Sequence, residues 1–74
     1  MINRVKAYRE HHRWSQAELS EKIGVSRQTI IAIERGKFDP SLRLAFKLSQ
    51  IFAVPLDILF DPDPLPPNAL KKRR

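Results

Sequence analysis

The chain has 74 residues, a net charge of +6 at pH 7 and no cysteine. This length suits one domain with a modest core, for which association with a second copy is a common source of stability. The missing cysteine excludes disulfides and cysteine-based zinc sites. The sequence contains no run of about 18 apolar residues, the length that a membrane-spanning helix needs. The first residues have no signal-peptide pattern. We therefore expect a cytoplasmic protein without a membrane partner.

The basic excess belongs to the folded part of the chain, since residues 1–60 hold ten Lys or Arg against six Asp or Glu. A small basic domain is typical of proteins that bind nucleic acid. His11 and His12 point about 100° apart on a helix and make a poor metal pair. No set of acids, bases, nucleophiles or metal ligands clusters in the sequence. We expect neither an enzyme nor a cofactor, and no small-molecule effector is indicated.

Helix signals dominate the sequence and strand signals are almost absent, which predicts an all-α domain of five helices. The first helix is expected from about Asn3 to His12. The second opens at Ser15, where Glu18 completes a capping box three residues later. It ends at Gly24, which can adopt the left-handed conformation that a tight stop needs.

The third helix is predicted from Arg27 to about Arg35, between the cap Ser26 and the terminating Gly36. The fourth follows a turn rich in helix breakers, with Asp39 or Ser41 as its cap. Apolar and small residues recur every three or four positions on one side of this helix, which we expect to face the core: Leu42, Ala45, Leu48, Ser49 and Phe52.

The fifth helix is predicted within PLDILF, residues 55–60, with Leu56, Leu59 and Phe60 buried. Residues 61–74 have a different character, because DPDPLPPNALKKRR contains four prolines and ends in four cations. This composition predicts an extended or disordered tail after a domain of residues 1–60. The segment is also a candidate for an added edge strand or arm.

The spacing of the second and third helices predicts a helix-turn-helix motif. A small residue, Ser20, stands where the two helices must cross closely. Gly24 follows four residues later in the turn, where a positive φ is needed. Ile30 and Ile33 then supply branched apolar side chains that pack against the second helix.

A helical wheel separates the third helix into two faces. With Arg27 at 0° on the wheel, Ile31 falls at about 40°, Gln28 at about 100° and Ala32 at about 140°. The Arg27 guanidinium matches guanine O6 and N7, Gln28 matches adenine N6 and N7, and the two smaller apolar side chains suit a thymine methyl. The alternatives are that Arg27 binds only a phosphate and that Ile31 lies half exposed with no role.

The stretch LSEKIGVSRQTIIAIERGKFDPSL, preceded by WSQAEL and followed by VPLDILF, resembles the Cro/C1-type (Xre) helix-turn-helix family of the lambdoid phage repressors. The resemblance covers about residues 5–60. It implies that Gln16 binds a backbone phosphate. It also implies that Arg27 and Gln28 read base edges, with Ala32 as a third reading position.

The resemblance further implies phosphate contacts after the third helix and at the start of the fourth, from Arg35, Lys37, Ser41 and Arg43. It implies a structural ion pair between Arg9 and Glu34. Arg13 and Ala53 stand where family members often have glycine, and a left-handed backbone at either costs about 1 kcal/mol.

The expected function is a sequence-specific regulator of transcription that binds double-stranded DNA, in particular a repressor associated with the nucleoid. Family members bind as homodimers to palindromic operators whose half-sites lie about one helical turn apart. Apolar residues expected off the core face provide a candidate dimer interface: Leu44, Ile51 and Ile58. The alternative is an antitoxin-like protein-interaction module that binds DNA only secondarily.

Overall fold

Five helices and a two-stranded sheet make up residues 2–61, the residues that the computed structural model describes. The predicted all-α, five-helix architecture is confirmed, with one small sheet added. None of the helices within these residues is long and apolar enough to cross a membrane. In chain order the elements are β1 (Ile2–Asn3), α1 (Val5–His11), α2 (Gln16–Ile23), α3 (Arg27–Glu34), α4 (Leu42–Phe52), α5 (Leu56–Leu59) and β2 (Phe60–Asp61).

Serine side chains cap the three helices that form the centre of the domain. The hydroxyls of Ser15, Ser26 and Ser41 each accept a hydrogen bond from the backbone N–H three residues later, at 3.0, 3.1 and 3.2 Å. The Glu18 carboxylate accepts the Ser15 backbone N–H at 2.8 Å, which completes the predicted capping box. Ser41, and not Asp39, is the cap of α4.

The backbone turns left-handed at two residues that are not glycine. Gly24 ends α2 with φ 76°, as its position predicts, while Arg13 and Ala53 have φ values of 60° and 57°. A left-handed conformation brings Cβ close to the following carbonyl and costs roughly 1–2 kcal/mol in residues other than glycine. The two departures from the family pattern therefore carry strain in the native state.

The core lies where α2 and α3 cross and where α1, α4 and α5 close over them. Ile30 and Ile33 have no exposed surface, and Ser20 is buried as a crossing position requires. The Ser20 hydroxyl is not left unpaired, because it donates to the Ala17 carbonyl at 2.7 Å. The buried apolar residues are Val5, Leu19, Ile23, Ile30, Ile33, Ala45, Leu48, Phe52, Leu59 and Phe60.

The prediction that Leu42 of α4 faces the core is wrong. Leu42 is 65% exposed, whereas Ala45, Leu48 and Phe52 are buried as expected. Leu42 is the first residue of α4 and lies about 60° around the helix from Ala45. It therefore stands at the edge of the apolar arc, beyond the helices that cover the rest. Leu56 of α5 is half-buried and packs against the core from outside.

The segment after residue 60 was a candidate for an edge strand, but β1 and its pairing with β2 were not predicted, and this pairing changes both ends of the domain. Ile2 pairs with Asp61 and Asn3 with Phe60 in an antiparallel register, so α1 begins at Val5 and Phe60 lies outside α5. The Asn3 side chain donates to the Ile33 carbonyl at 2.9 Å and accepts the Val5 N–H at 3.1 Å. The pairing therefore extends the ordered unit to Asp61. The predicted tail from residue 62 onward lies outside the described residues.

Candidate nucleic-acid interface

Helix α3 is held on one face and open on the other. Ile30 and Ile33 pack fully inside the domain, whereas Arg27 and Gln28 at its first turn are exposed. The Ser26 cap satisfies the Thr29 backbone N–H at 3.1 Å and stabilises this first turn. Two long side chains rich in hydrogen-bond donors therefore project from a helix whose position the core determines.

Ile31 and Ala32, the smaller side chains of the predicted reading face, are half-buried. Ile31 lines a cleft together with Gln16 of α2 and Arg35 just beyond α3. The outermost part of the predicted reading face thus consists of Arg27 and Gln28, and Ile31 lies at its border with α2.

Arg9 and Glu34 form a buried ion pair between α1 and α3. Arg9 Nε donates to Glu34 Oε2 at 2.6 Å and Arg9 NH2 to Oε1 at 3.2 Å, while NH1 donates to the Trp14 carbonyl at 2.8 Å. The side chains are only 10% and 5% exposed. The hydrogen bond that Arg9 donates to Glu34 raises the pKa of Arg9, against the opposing effect of burial. The guanidinium therefore stays charged and fixes the end of α3 against α1.

Gln16 joins this ion pair through a contact that the sequence analysis missed. Its Nε2 donates to Glu34 Oε1 at 3.1 Å, and the residue is half-buried at the first position of α2. A carboxylate only accepts hydrogen bonds, so the amide nitrogen of Gln16 must face Glu34. That nitrogen carries a second N–H, which remains available to a ligand.

The remaining predicted phosphate contacts lie together between the end of α3 and the start of α4. Arg35, Lys37, Ser41 and Arg43 are all exposed. The Ser41 hydroxyl accepts the Leu44 N–H as the cap of α4, which leaves its own proton free to donate. Three cations and one hydroxyl are therefore accessible between the end of α3 and the first turn of α4.

Comparison with known proteins identifies the same helix-turn-helix that the structure contains. The profile of the helix-turn-helix family matches residues 5–59. The chain belongs to the Cro/C1-type (Xre) helix-turn-helix family. The predicted family is thereby confirmed, and it is a family of DNA-binding regulators of transcription.

Three similar proteins share most of their length with the chain. An uncharacterised HTH-type transcriptional regulator of Methanocaldococcus jannaschii is 55% identical over 60 residues, covering 81% of this chain and 91% of the relative. The HTH-type regulator YgzD of Bacillus subtilis is 43% identical, with the same two coverages. One from Archaeoglobus fulgidus is 42% identical, covering 81% and 86%.

The candidate dimer residues of this Xre domain do not share one environment. Ile58 is 45% exposed, whereas Leu44 and Ile51 are half-buried and pack against the core. The expectation that all three lie off the core face is therefore wrong for Leu44 and Ile51, because the flanking helices partly cover α4. Sequence reasoning also missed exposed apolar side chains before and along α4, namely Phe38, Leu42 and Phe46.

The two histidines of the Xre domain belong to an aromatic layer over the turn between α1 and α2. The His12 ring stacks on Trp14 with centroids 4.4 Å apart, and His11 meets His12 edge-on at 5.5 Å. Lys22 Nζ lies over the Trp14 ring, 4.7 Å from its centre. This layer covers Phe52 at the end of α4, which gives the histidines a packing role.

Proposed function

We propose that the protein is a sequence-specific transcriptional repressor that binds a palindromic operator as a homodimer, with α3 in the major groove. One observation carries the proposal. Within a chain of the Xre family, α3 is held by the buried Ile30 and Ile33 while Arg27 and Gln28 stand exposed at its first turn. A recognition helix reads bases with its N-terminal residues, which is where these two lie.

Base reading is assigned to the exposed face of α3. Arg27 can donate two hydrogen bonds to guanine O6 and N7, and Gln28 can pair with adenine N6 and N7. Each such bidentate contact discriminates against a wrong base by about 1–3 kcal/mol. Ala32, with Ile31 at the border of the face, suits a thymine methyl group.

Phosphate contacts are assigned to Gln16 and to the connection after α3, that is to Arg35, Lys37, Ser41 and Arg43. Only the three cations among them release counterions when they meet the DNA backbone. At about 0.9 per contact, a dimer with six such cations predicts a slope of about −5 for log K against log salt. Affinity for any DNA should therefore fall steeply as salt is raised.

The dimer follows from the size of the reading surface. One recognition helix covers only a few base pairs, and a twofold pair of helices reads two half-sites about 34–36 Å apart. We assign the interface to the outer surfaces of α4 and α5, around Ile58 with the half-buried Leu44 and Ile51. Occupation of an operator that overlaps a promoter is sufficient for repression.

Selection of bound sites from random double-stranded DNA tests this function directly. We expect an enriched palindrome whose half-site centres lie about 10–10.5 base pairs apart. Gln28→Ala should reduce the preference for this site over a scrambled one by about tenfold or more. Glu21→Gln, at an exposed position of α2 outside these contacts and outside the proposed dimer surface, is the control and should leave the preference unchanged.

The outcomes separate the parts of the proposal. Failure to enrich any site would refute sequence-specific binding, and enrichment of a single half-site would refute the dimer. In vitro transcription from a promoter that contains the selected site then tests repression, which an increase in transcript would contradict.

A further inference from the structure

We propose that Lys6, Gln16 and Arg35 form one binding site for a single phosphate of the DNA backbone. This inference deepens the proposed DNA binding and rests on it. The new element is Lys6, which lies on α1, outside the helix-turn-helix and outside the predicted contact set. The three residues come from three different parts of the chain, namely α1, the start of α2 and the end of α3.

The site is a cleft at the junction of these helices. The cleft has a volume of about 260 Å³ and is lined by Lys6, Gln16, Ile31, Glu34 and Arg35. Lys6 precedes Arg9 by three residues on α1, so the two side chains are neighbours on one helix face. Lys6 therefore stands beside the buried ion pair that joins α1 to α3.

The charge of the cleft favours an anion. Its one carboxylate, on Glu34, is already engaged by the Arg9 guanidinium at 2.6 Å. Lys6 and Arg35 are exposed, and neither pairs with a carboxylate of residues 2–61. Two positive charges without a partner in this part of the chain thus flank a neutralised floor, an arrangement that attracts a phosphate.

The third group, the Gln16 amide, is already oriented as a donor. Glu34 Oε1 accepts one N–H of Gln16 Nε2 at 3.1 Å, which leaves the second N–H of the same nitrogen for a ligand. The opposite orientation of the amide would bring its oxygen against a carboxylate that cannot donate. A phosphate can therefore accept one hydrogen bond from Gln16 while both cations balance its charge.

The neighbouring helix α3 places this phosphate beside the bases. Ile31 lines the cleft and lies one helical turn after Arg27. A phosphate held at Lys6 would therefore lie at the edge of the groove that α3 enters. Contacts of this kind set the register of a protein on DNA and carry no base preference of their own.

Lys6→Gln in the full chain tests the site. Lys22→Gln is the matched control, because Lys22 is also exposed, does not line this cleft and lies on α2, outside the proposed dimer surface. We expect Lys6→Gln to weaken binding to the selected operator and to scrambled DNA by the same factor, about tenfold. The magnitude of its salt slope should fall by less than about 0.9 per protomer, because Arg35 still neutralises the same phosphate. Lys22→Gln should change neither value.

Operators that carry one uncharged methylphosphonate at a time locate the contact. Wild-type protein should lose affinity at one particular phosphate of each half-site. Lys6→Gln should lose no more than a small further amount there, and Gln16→Ala should desensitise the same phosphate. The site would be overturned, with operator recognition intact, if Lys6→Gln lost as much affinity as wild type at every methylphosphonate position. It would also be overturned if Lys6→Gln bound both DNAs as Lys22→Gln does. A wild-type protein that does not distinguish operator from scrambled DNA would overturn the proposed function and this site with it.

Discussion

Replacing Arg9 by methionine is expected to remove most of the stability of the domain. The change leaves the Glu34 carboxylate, whose side chain is 5% exposed, with Gln16 as its one remaining hydrogen-bond donor among residues 2–61. Breaking a buried ion pair on one side costs about 3–5 kcal/mol. The whole free energy of unfolding for some sixty residues is roughly 3–9 kcal/mol at 0.05–0.15 kcal/mol per residue. Arg9→Met should therefore be marginally folded or unfolded.

The double variant Arg9→Met/Glu34→Met should recover most of this loss. Replacement of both partners of a buried pair by apolar side chains is often neutral or stabilising. Two groups would still lose a partner, namely the Trp14 carbonyl and the Gln16 amide, at about 1–2 kcal/mol together. We expect the double variant to lie within about that margin of wild type.

Urea unfolding followed by far-ultraviolet circular dichroism measures these free energies. All variants are compared at one protein concentration, because dimerisation would add a concentration-dependent term. The reasoning would be refuted by an Arg9→Met loss below about 1 kcal/mol, well under the range for a buried pair. It would equally be refuted by a double variant no more stable than either single one.

Three further changes test the local features of the fold by the same unfolding measurement. Gly24→Ala places a Cβ at φ 76° with no atom within 4 Å, so it should destabilise the domain by roughly 1–2 kcal/mol through the backbone alone. Ala53→Gly relieves a φ of 57° and should stabilise the domain by up to about 1 kcal/mol. A change of the unfolding free energy in the same direction for both variants would contradict backbone strain at these positions. Ser15→Ala removes the capping box and should cost about 1 kcal/mol, and a loss near zero would mean that water replaces the cap. Leu42→Ser should cost less than about 0.5 kcal/mol at its exposed position, while Leu48→Ala should cost about 2–5 kcal/mol, and comparable losses would place Leu42 in the core after all.

Local signals in the sequence were enough to predict the helices and the motif. The capping box of Ser15 and Glu18 and the stop at Gly24 involve atoms only a few residues apart, so residue type and spacing alone determine them. The burial of Ile30 and Ile33 was also predictable, because residues three positions apart lie on the same face of a helix. The family resemblance placed Arg9 and Glu34 together, and their contact at 2.6 Å agrees with it.

Features that depend on which elements meet in space could be decided only by the tertiary structure. The pairing of Ile2 with Asp61 joins opposite ends of the described chain, and two-residue strands have no periodicity to detect. The exposure of Leu42 depends on where the covering helices stop. The cleft that brings Lys6 to Gln16 requires three helices to converge, and no spacing along the sequence encodes that distance. The sequence thus determined α3 and its caps, while the packing of the neighbouring helices decided what surrounds α3. The reason is that local hydrogen bonds act over one turn, whereas side-chain packing acts between helices.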